Sequence, residues 1–155
     1  AEFADAVIER LGKMPKQLKA VHLKGGGIPK FVYERPVVKR QLCGVDVFVC
    51  DQEHTPDELA ERLLKASHGM LKLKLITNRG VKVWPEGFPE TFCTDHWRCR
   101  FVLRDGAGTL ADAGLLELVA KIAVKHRWMH IEKLQEFDGA TGWTRAQGEG
   151  ETPGA

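Results

Sequence analysis

The residues best suited to chemistry lie in residues 79–101, the stretch RGVKVWPEGFPETFCTDHWRCRF. It contains Cys93 and Cys99, with Asp95 and His96 between them. A cysteine near a histidine and a carboxylate has the residue types of a nucleophilic site. Thiolates and imidazoles are also the ligands of structural zinc. The stretch therefore raises three hypotheses: an active site, a metal site, or a basic and aromatic surface that binds nucleic acid.

Cysteine spacing argues against a metal site. Structural zinc sites usually hold two cysteines separated by two to four residues in a knuckle loop. Cys93 and Cys99 are six positions apart, and Cys43 and Cys50 are seven apart. A chain of 155 residues with 43% apolar residues can bury a core without disulfides. We therefore expect four buried free thiols, no metal and a reducing compartment.

Strand geometry argues against a local catalytic group. Successive side chains on a strand point to opposite faces, so Cys93, Asp95 and His96 do not form a triad by adjacency alone. Cys99 shares the apolar phase of its strand with Trp97 and Phe101, which predicts a core thiol. The sequence accordingly predicts no catalytic, metal-binding or cofactor-binding residue, and no cofactor.

The elements that position this stretch form an alternating pattern between residues 41 and 137. Thr55 precedes Pro56, and Glu58 follows three residues after the threonine, which is the signature of a capped helix start. In order, the predicted elements are a strand at 45–49, a helix from Thr55 to before Gly69, a strand at 71–75, a short returning piece at 81–84, a strand at 97–103, a helix at 109–126 and a strand at 128–136. This βαββαβ order predicts an α+β, ferredoxin-like antiparallel sheet with two helices on one face.

Segments outside that domain are predicted to be arms. Residues 1–12 form a short amphipathic helix that ends at Gly12, and residues 13–40 form an irregular linker rich in proline and glycine. The run Gly25–Gly27 lacks the Gly-Lys-Ser/Thr of a phosphate loop. Residues 138–155 form a glycine-rich tail. The two arms are expected to be extended and to bind partners.

Charge is unevenly distributed along the chain. The net charge is only +2, yet residues 13–40 carry eight basic residues and one acid. A basic arm favours an acidic protein surface, and nucleic acid or anionic lipid is the alternative. No apolar run approaches the length of a spanning helix, so membrane contact is expected only through partner subunits.

The sheet face away from the helices is expected to present basic residues, while Asp46, Glu132 and Glu136 could neutralise them. The same architecture serves RNA-recognition modules, but the strand HWRCRFVL lacks their paired aromatic signature. Nucleic-acid binding is therefore the less favoured hypothesis. The residues expected to bind partners are Lys24, Lys30, Phe31, Tyr33, Arg35, Lys39, Arg40, Lys72, Lys74, Arg98, Arg100 and Trp143.

Three segments carry a family resemblance. The stretch KLKLITNRGVKVWPEGFPETFCTDHWRCRF resembles the C-terminal accessory domain of the larger bacterial and organellar NADP-dependent isocitrate dehydrogenases. The segment LQEFDGATGWTRAQGE is similar to the end of those chains, and EFADAVIERLG resembles the last helix of their catalytic core. Residues 25–40 have no clear counterpart, and the last six residues look like an addition.

The resemblance implies an assembly role without catalysis. The substrate-binding, catalytic and metal-binding motifs of that family belong to the dehydrogenase core, and none has a matching position here; the one tyrosine is Tyr33. We expect a structural subunit of a larger complex on the mitochondrial matrix side, in a respiratory or ATP-synthase assembly. The alternatives are a C-terminal oligomerisation fragment of an isocitrate dehydrogenase, an RNA-binding module, and a cytoplasmic location.

Overall fold

The computed structural model describes residues 2–19, 21, 32–67, 69–106 and 108–150. The chain divides into two compact units, residues 1–36 and residues 37–155. The predicted partner-binding residues Lys24, Lys30 and Phe31 lie outside the described residues. Among the helices that the structure describes, none has the length and apolar character needed to span a membrane.

The first unit contains helix α1, Glu2–Ile8, which ends earlier than the predicted helix. Beyond Ile8 the backbone tightens, because Arg10 N donates to Val7 O at 3.0 Å and Leu11 N donates to Ile8 O at 3.1 Å. Gly12 then adopts a positive φ of 79°, as expected for a glycine past a helix end. The described residues of the linker contain no helix or strand before Arg40, as its prolines predicted.

The second unit is built on a six-stranded antiparallel sheet with the order β3-β2-β4-β1-β5-β6. The strands are β1 Arg40–Cys50, β2 Leu71–Asn78, β3 Val81–Trp84, β4 His96–Leu103, β5 Arg127–Phe137 and β6 Ala140–Thr141. Two helices accompany them in the described part of this unit, α2 Pro56–Ala66 and α3 Asp112–Ala123. The predicted antiparallel α+β architecture is confirmed. The final strand, β6, was not predicted, and it lies in the segment expected to be an extended tail.

Local sequence sets the beginning of α2, whereas a contact with β1 accompanies the later start of α3. Thr55 N donates to Glu58 Oε2 at 2.8 Å and Glu58 N donates to Thr55 Oγ1 at 3.4 Å, so the predicted capping box is confirmed. Helix α3 begins at Asp112, later than predicted. Leu110 N donates to Leu42 O at 2.9 Å, and this bond to β1 keeps residue 110 outside the helix.

One face of the sheet and both helices enclose the core. Val45, Val47 and Val49 of β1 are fully buried and lie opposite the core residues Phe101, Cys99 and Trp97 of β4. The predicted burial of those three β4 residues is confirmed. The helices contribute Leu59, Leu63, Leu115, Leu118 and Ile122 to the same cluster. Side chains of opposite phase in β1 and β4 therefore lie on the other face.

Gly44 allows β1 and β4 to approach closely. A Cβ at this position would collide with the carbonyl oxygen of Phe101 and lie 3.2 Å from Val102 Cα. The pairing of β1 with β5 also shifts register between Leu42 and Gly44. Glycine is therefore required at position 44, because any side chain there would collide with the backbone of β4.

Phe101→Ala tests the core directly. Phe101 is fully buried, so its loss should lower the free energy of unfolding by about 3–5 kcal/mol. Urea denaturation followed by circular dichroism measures this change. Phe92→Ala is the matched control, because Phe92 is 74% exposed and its truncation should change stability by less than about 0.5 kcal/mol. Equal effects of the two substitutions would contradict the assigned core.

Candidate functional site

A buried ion pair occupies the sheet face opposite the helices. Arg100 of β4 lies directly across from Asp46 of β1. Its Nε donates to Asp46 Oδ1 at 2.8 Å and its Nη2 donates to Oδ2 at 2.7 Å. The side chains are only 1% and 2% exposed. Arg100 was predicted to lie on an open face; that prediction of exposure is wrong, although Asp46 does neutralise the face.

The C-terminal segment closes over this ion pair. Glu149 Oε2 accepts from Arg100 Nη1 at 2.7 Å, and Thr144 O accepts from Arg100 Nη2 at 3.2 Å. Glu149 Oε1 accepts from Lys74 Nζ, also at 2.7 Å. These contacts explain the burial of Arg100. Within residues 140–150 the expectation of an extended arm is therefore corrected, because the segment folds back onto its own sheet.

Backbone hydrogen bonds fix the same segment to the edge of the sheet. Lys82 N donates to Gln147 O at 3.0 Å, and Gln147 N donates to Gly80 O at 3.1 Å. Gln147 forms a parallel bridge with Val81 of β3. Ala146 is buried, at 7% exposure. The last described residues thus cover the β3 edge; we call residues 142–150 the tail latch.

The charges of the tail latch are mutually stabilised. Burial by itself raises the pKa of Glu149, but hydrogen bonds from Lys74 and from Ala146 N, together with the charge of Arg100, outweigh it and hold that pKa below its usual value. Burial by itself lowers the pKa of Arg100, and its bonds to Asp46 and Glu149 reverse that effect. The arrangement therefore keeps both groups ionised.

The other predicted sheet-face residues occupy different environments. Lys72 is exposed, whereas Lys74 is engaged with the tail latch. Arg98 is half-buried; its Nε donates to Thr77 Oγ1 at 3.1 Å and lies 3.8 Å from Asp46 Oδ2. Trp143 is half-buried and lines a cavity of about 340 Å³ together with Lys72. The predicted basic surface is thus largely occupied by the chain's own acids.

The linker residues that were predicted to bind partners are divided between the two units. Tyr33 is 70% exposed and Arg35 is exposed in the first unit. Lys39 belongs to the second unit, and its backbone N donates to Asp138 Oδ1 at 2.9 Å. Arg40 begins β1 and places its guanidinium carbon 5.8 Å from the centre of the Phe137 ring. Lys39 and Arg40 therefore help to hold the β5–β6 turn.

Burial disfavours the reactive thiolate form of both cysteines in the stretch that raised the hypothesis of a reactive site. The four cysteines are free; Cys99 is buried, whereas Cys43, Cys50 and Cys93 are half-buried, so the expectation of four buried thiols holds fully for Cys99 alone. Burial raises the pKa of Cys93 and, reinforced by the charges of Asp46 and Asp51, strongly raises that of Cys99. No group of three or more possible metal ligands occurs among the described residues.

A concave surface that sequence patterns did not reveal lies at one end of the second unit. Its wider part, of about 540 Å³, lies between the last turns of the two helices, and a second part of about 300 Å³ adjoins the end of β1. Arg62, Lys125 and His126 line both parts. The remaining lining residues are Lys65, Ala66, Lys121 and Val124 in the wider part, and Cys50, Asp51, Gln52, Glu53, His54 and Arg127 in the other. We call this surface the helix-end groove.

The charges of the helix-end groove are mainly positive. His54 Nδ1 lies 2.9 Å from both carboxylate oxygens of Asp51, so that acid already has an internal partner. Burial, together with the positive charges of Arg62 and Lys125, lowers the pKa of His126. A basic residue near each helix end was the available sequence signal, but helix-end cations ordinarily indicate only stabilisation of the helix dipole.

Comparison with known proteins places this structure in a family. Residues 40–149 match the model of the bacterial isocitrate dehydrogenase C-terminal domain. The chain belongs to this family. The matched range runs from the first residue of β1 to Glu149 of the tail latch, so the latch lies inside the family domain. The resemblance found in the sequence is thereby confirmed.

Relatives of this isocitrate dehydrogenase C-terminal domain are bacterial enzymes. The chain is 41% identical over 152 residues to isocitrate dehydrogenase [NADP] of Thermus thermophilus, and 36% identical over 155 residues to that of Rickettsia bellii. A crystal structure of a protein from Thermus thermophilus is similar, with a TM-score of 0.73 and 40% identity, and the match covers 95% of this chain and 30% of that chain. The first two matches each cover 96% of this chain, so most of the linker lies within the aligned span, contrary to the expectation for residues 25–40.

The chain spans only about a third of the length of these relatives, 30% and 32% of the two named enzymes. The activity of these enzymes therefore belongs to proteins with much additional sequence. Neither relative supports the expected mitochondrial respiratory or ATP-synthase complex, because both come from bacteria.

Glu149→Gln should loosen the tail latch. The substitution removes the charge that pairs with Arg100 and Lys74, and charge-assisted hydrogen bonds contribute about 1.5–3 kcal/mol. Amide hydrogen exchange in residues 142–150 should become at least about tenfold faster at pH 7. Exchange measured by mass spectrometry checks this, with Glu117→Gln, which removes an exposed Lys121 partner elsewhere, as the matched control.

The latch should also open in acid. Because the pKa of Glu149 is lower in the folded protein, its contribution is complete above the unfolded value of about 4.3 and disappears as the pH falls through the folded pKa. Exchange in the latch, relative to the rest of the sheet, should therefore increase below about pH 4 in the unsubstituted chain. If Glu149→Gln showed the same acid-induced step, Glu149 would not be the controlling group.

Proposed function

We propose that this chain acts as the C-terminal oligomerisation domain of an NADP-dependent isocitrate dehydrogenase. It contributes assembly, and the oxidation of isocitrate depends on sequence outside these 155 residues. The match over residues 40–149 and the enzyme relatives support the connection. The bacterial relatives favour the cytoplasmic alternative over the mitochondrial one. RNA binding is not proposed, because Lys74 and Arg100 on the relevant face are paired with Glu149.

The observation that carries the assembly role is a difference between the two edges of the sheet. The β3 edge is covered by the tail latch through Gln147. The β5 edge pairs with β6 only at Glu136 and Phe137, and along 127–135 no strand of the described chain pairs with its outer side. An open edge of this length is a template for a strand from another chain, and natural proteins usually block such edges.

Side chains along β5 suit a second copy of the same chain. Two β5 strands related by a two-fold axis at Ile131 would pair antiparallel, which places His130 of each copy opposite Glu132 of the other. These side chains are 50% and 60% exposed; within one chain His130 Nε2 already lies 3.9 Å from Glu132 Oε1, and pairing of two copies would bring a second such contact to each. Trp128 and Met129 are 45% and 44% exposed, so both side chains offer apolar area at this edge. We infer that they pack against the second copy.

We further infer a ferredoxin-like core within this domain. The four strands β2, β4, β1 and β5 lie side by side in that order, and α2 and α3 connect them in a βαββαβ sequence. This neighbour order supports the split βαβ arrangement. Strands β3 and β6 then extend the sheet at its two sides, so the open β5 edge belongs to the ferredoxin-like unit itself.

Trp128→Ser/Met129→Lys should weaken self-association. Replacing exposed apolar residues with polar ones leaves the internal core intact but removes apolar area at the proposed contact. Multi-angle light scattering after size exclusion should give an oligomer for the unsubstituted chain and a mass near 17.3 kDa for the variant. The matched control, Phe92→Ser/Leu116→Lys, changes two exposed apolar residues elsewhere and should remain oligomeric. Identical masses for both variants would contradict β5 pairing.

The absence of catalysis from this chain is tested separately. With isocitrate, NADP and Mg²⁺, the 155-residue chain alone should show no NADPH formation and no rise in its melting temperature. Absorbance at the reduced nicotinamide band and differential scanning fluorimetry measure the two quantities. A reproducible rise in melting temperature would reveal substrate binding here and would contradict a purely assembling role.

A further inference from the structure

The helix-end groove has an excess of positive charge. Its wider part is lined by Arg62, Lys65, Lys121 and Lys125 and by no acidic residue. Among the residues that the structure describes, Lys121 alone of these four has an acidic partner, Glu117 at 2.7 Å. The other three form no ion pair within the described residues, although Arg62 is close enough to Glu58 to interact with its charge.

Helix dipoles do not account for this excess. The C-terminal end of a helix carries a partial charge equivalent to about −0.5 elementary charge. The C-terminal ends of α2 and α3 together therefore offset only about one cation. The adjoining part of the groove adds Arg127 and one acid, Asp51, whose carboxylate lies 2.9 Å from His54 Nδ1. Glu53 remains as the one other acid lining that part. Cations still outnumber acids in this part, where Arg62, Lys125 and Arg127 accompany the two carboxylates.

The dimensions of the groove suit a small ligand. Parts of about 540 Å³ and 300 Å³, which share Arg62 and Lys125, fall within the range of small-molecule sites. Ala66 and Val124 add an apolar wall to the wider part, where Val124 is 78% exposed. Arginine presents a planar fork that binds phosphate oxygens in pairs, and lysine adds a mobile charge.

We propose that the helix-end groove binds a small polyanion carrying at least two phosphate groups. Arg62 and Lys125 contact both groups, because these two residues line both parts of the groove. Lys65 and Arg127 extend the contact on either side. This inference does not depend on the proposed oligomerisation role, since the groove residues come from a single chain and the assembly test uses different residues.

Calorimetric titration of the 155-residue chain with inorganic pyrophosphate tests the proposal. We expect saturable binding with a Kd in the micromolar range, and affinity that falls as the salt concentration rises. Arg62→Gln/Lys125→Gln should weaken binding at least about tenfold. The matched control, Lys13→Gln/Lys16→Gln, removes the same charge from exposed residues of the first unit and should stay within about twofold. Circular dichroism verifies that both variants remain folded.

Four outcomes would overturn the proposal. The first is the absence of saturable binding of pyrophosphate up to millimolar concentration. The second is an equal loss of affinity in the control variant, which would indicate unspecific attraction by net charge. The third is binding of sulfate as tight as that of pyrophosphate, which would exclude a site for two phosphate groups. The fourth is much tighter binding of a single-stranded RNA through Arg62 and Lys125, which would assign the groove to a macromolecule.

Discussion

The Arg100–Asp46 pair imposes the main constraint on this domain. Burying an unpaired charge costs several kcal/mol, so every guanidinium donor needs a fixed acceptor. Asp46 supplies two oxygens from β1, and Glu149 and Thr144 supply further oxygens from the tail latch. A one-residue slip of β1 against β4 would turn Asp46 toward the apolar core. The pair therefore fixes both the strand register and the position of a segment 49 residues further along the chain.

Closure by the tail latch determines which surfaces stay available. One sheet face is covered by α2 and α3, the opposite face is partly covered by the latch, and the β3 edge is paired with Gln147. The outer edge of β5 and the helix-end groove are among the surfaces of the second unit that the described residues leave open. Both lie where the described chain supplies no covering segment of its own. The proposed assembly surface and the proposed ligand site are consequently neighbours that meet at Arg127, the first residue of β5.

The predictable features were those determined by local patterns. Alternation placed Trp97, Cys99 and Phe101 in the core, and the Thr55–Glu58 spacing marked the start of α2, because both depend on near neighbours in the chain. Alternation also assigned Arg100 to the opposite face correctly, yet it could not reveal that Glu149 would bury it. The helix-end groove could not be predicted for the same reason, because Arg62 and Lys125 come together only when α2 and α3 pack in the folded chain.

The buried charges are better explained by specificity than by stability. Apolar residues of similar volume can replace a buried ion pair with little loss of stability, so stability alone does not require Arg100. An apolar side chain at that position, however, would attract any apolar segment, whereas a guanidinium already held by Asp46 donates its remaining hydrogen bonds only to correctly placed oxygen acceptors. Glu149 meets this requirement from the tail latch. We infer that the ion pair selects the tail over a partner's strand, which leaves β5 as the edge where another chain can add.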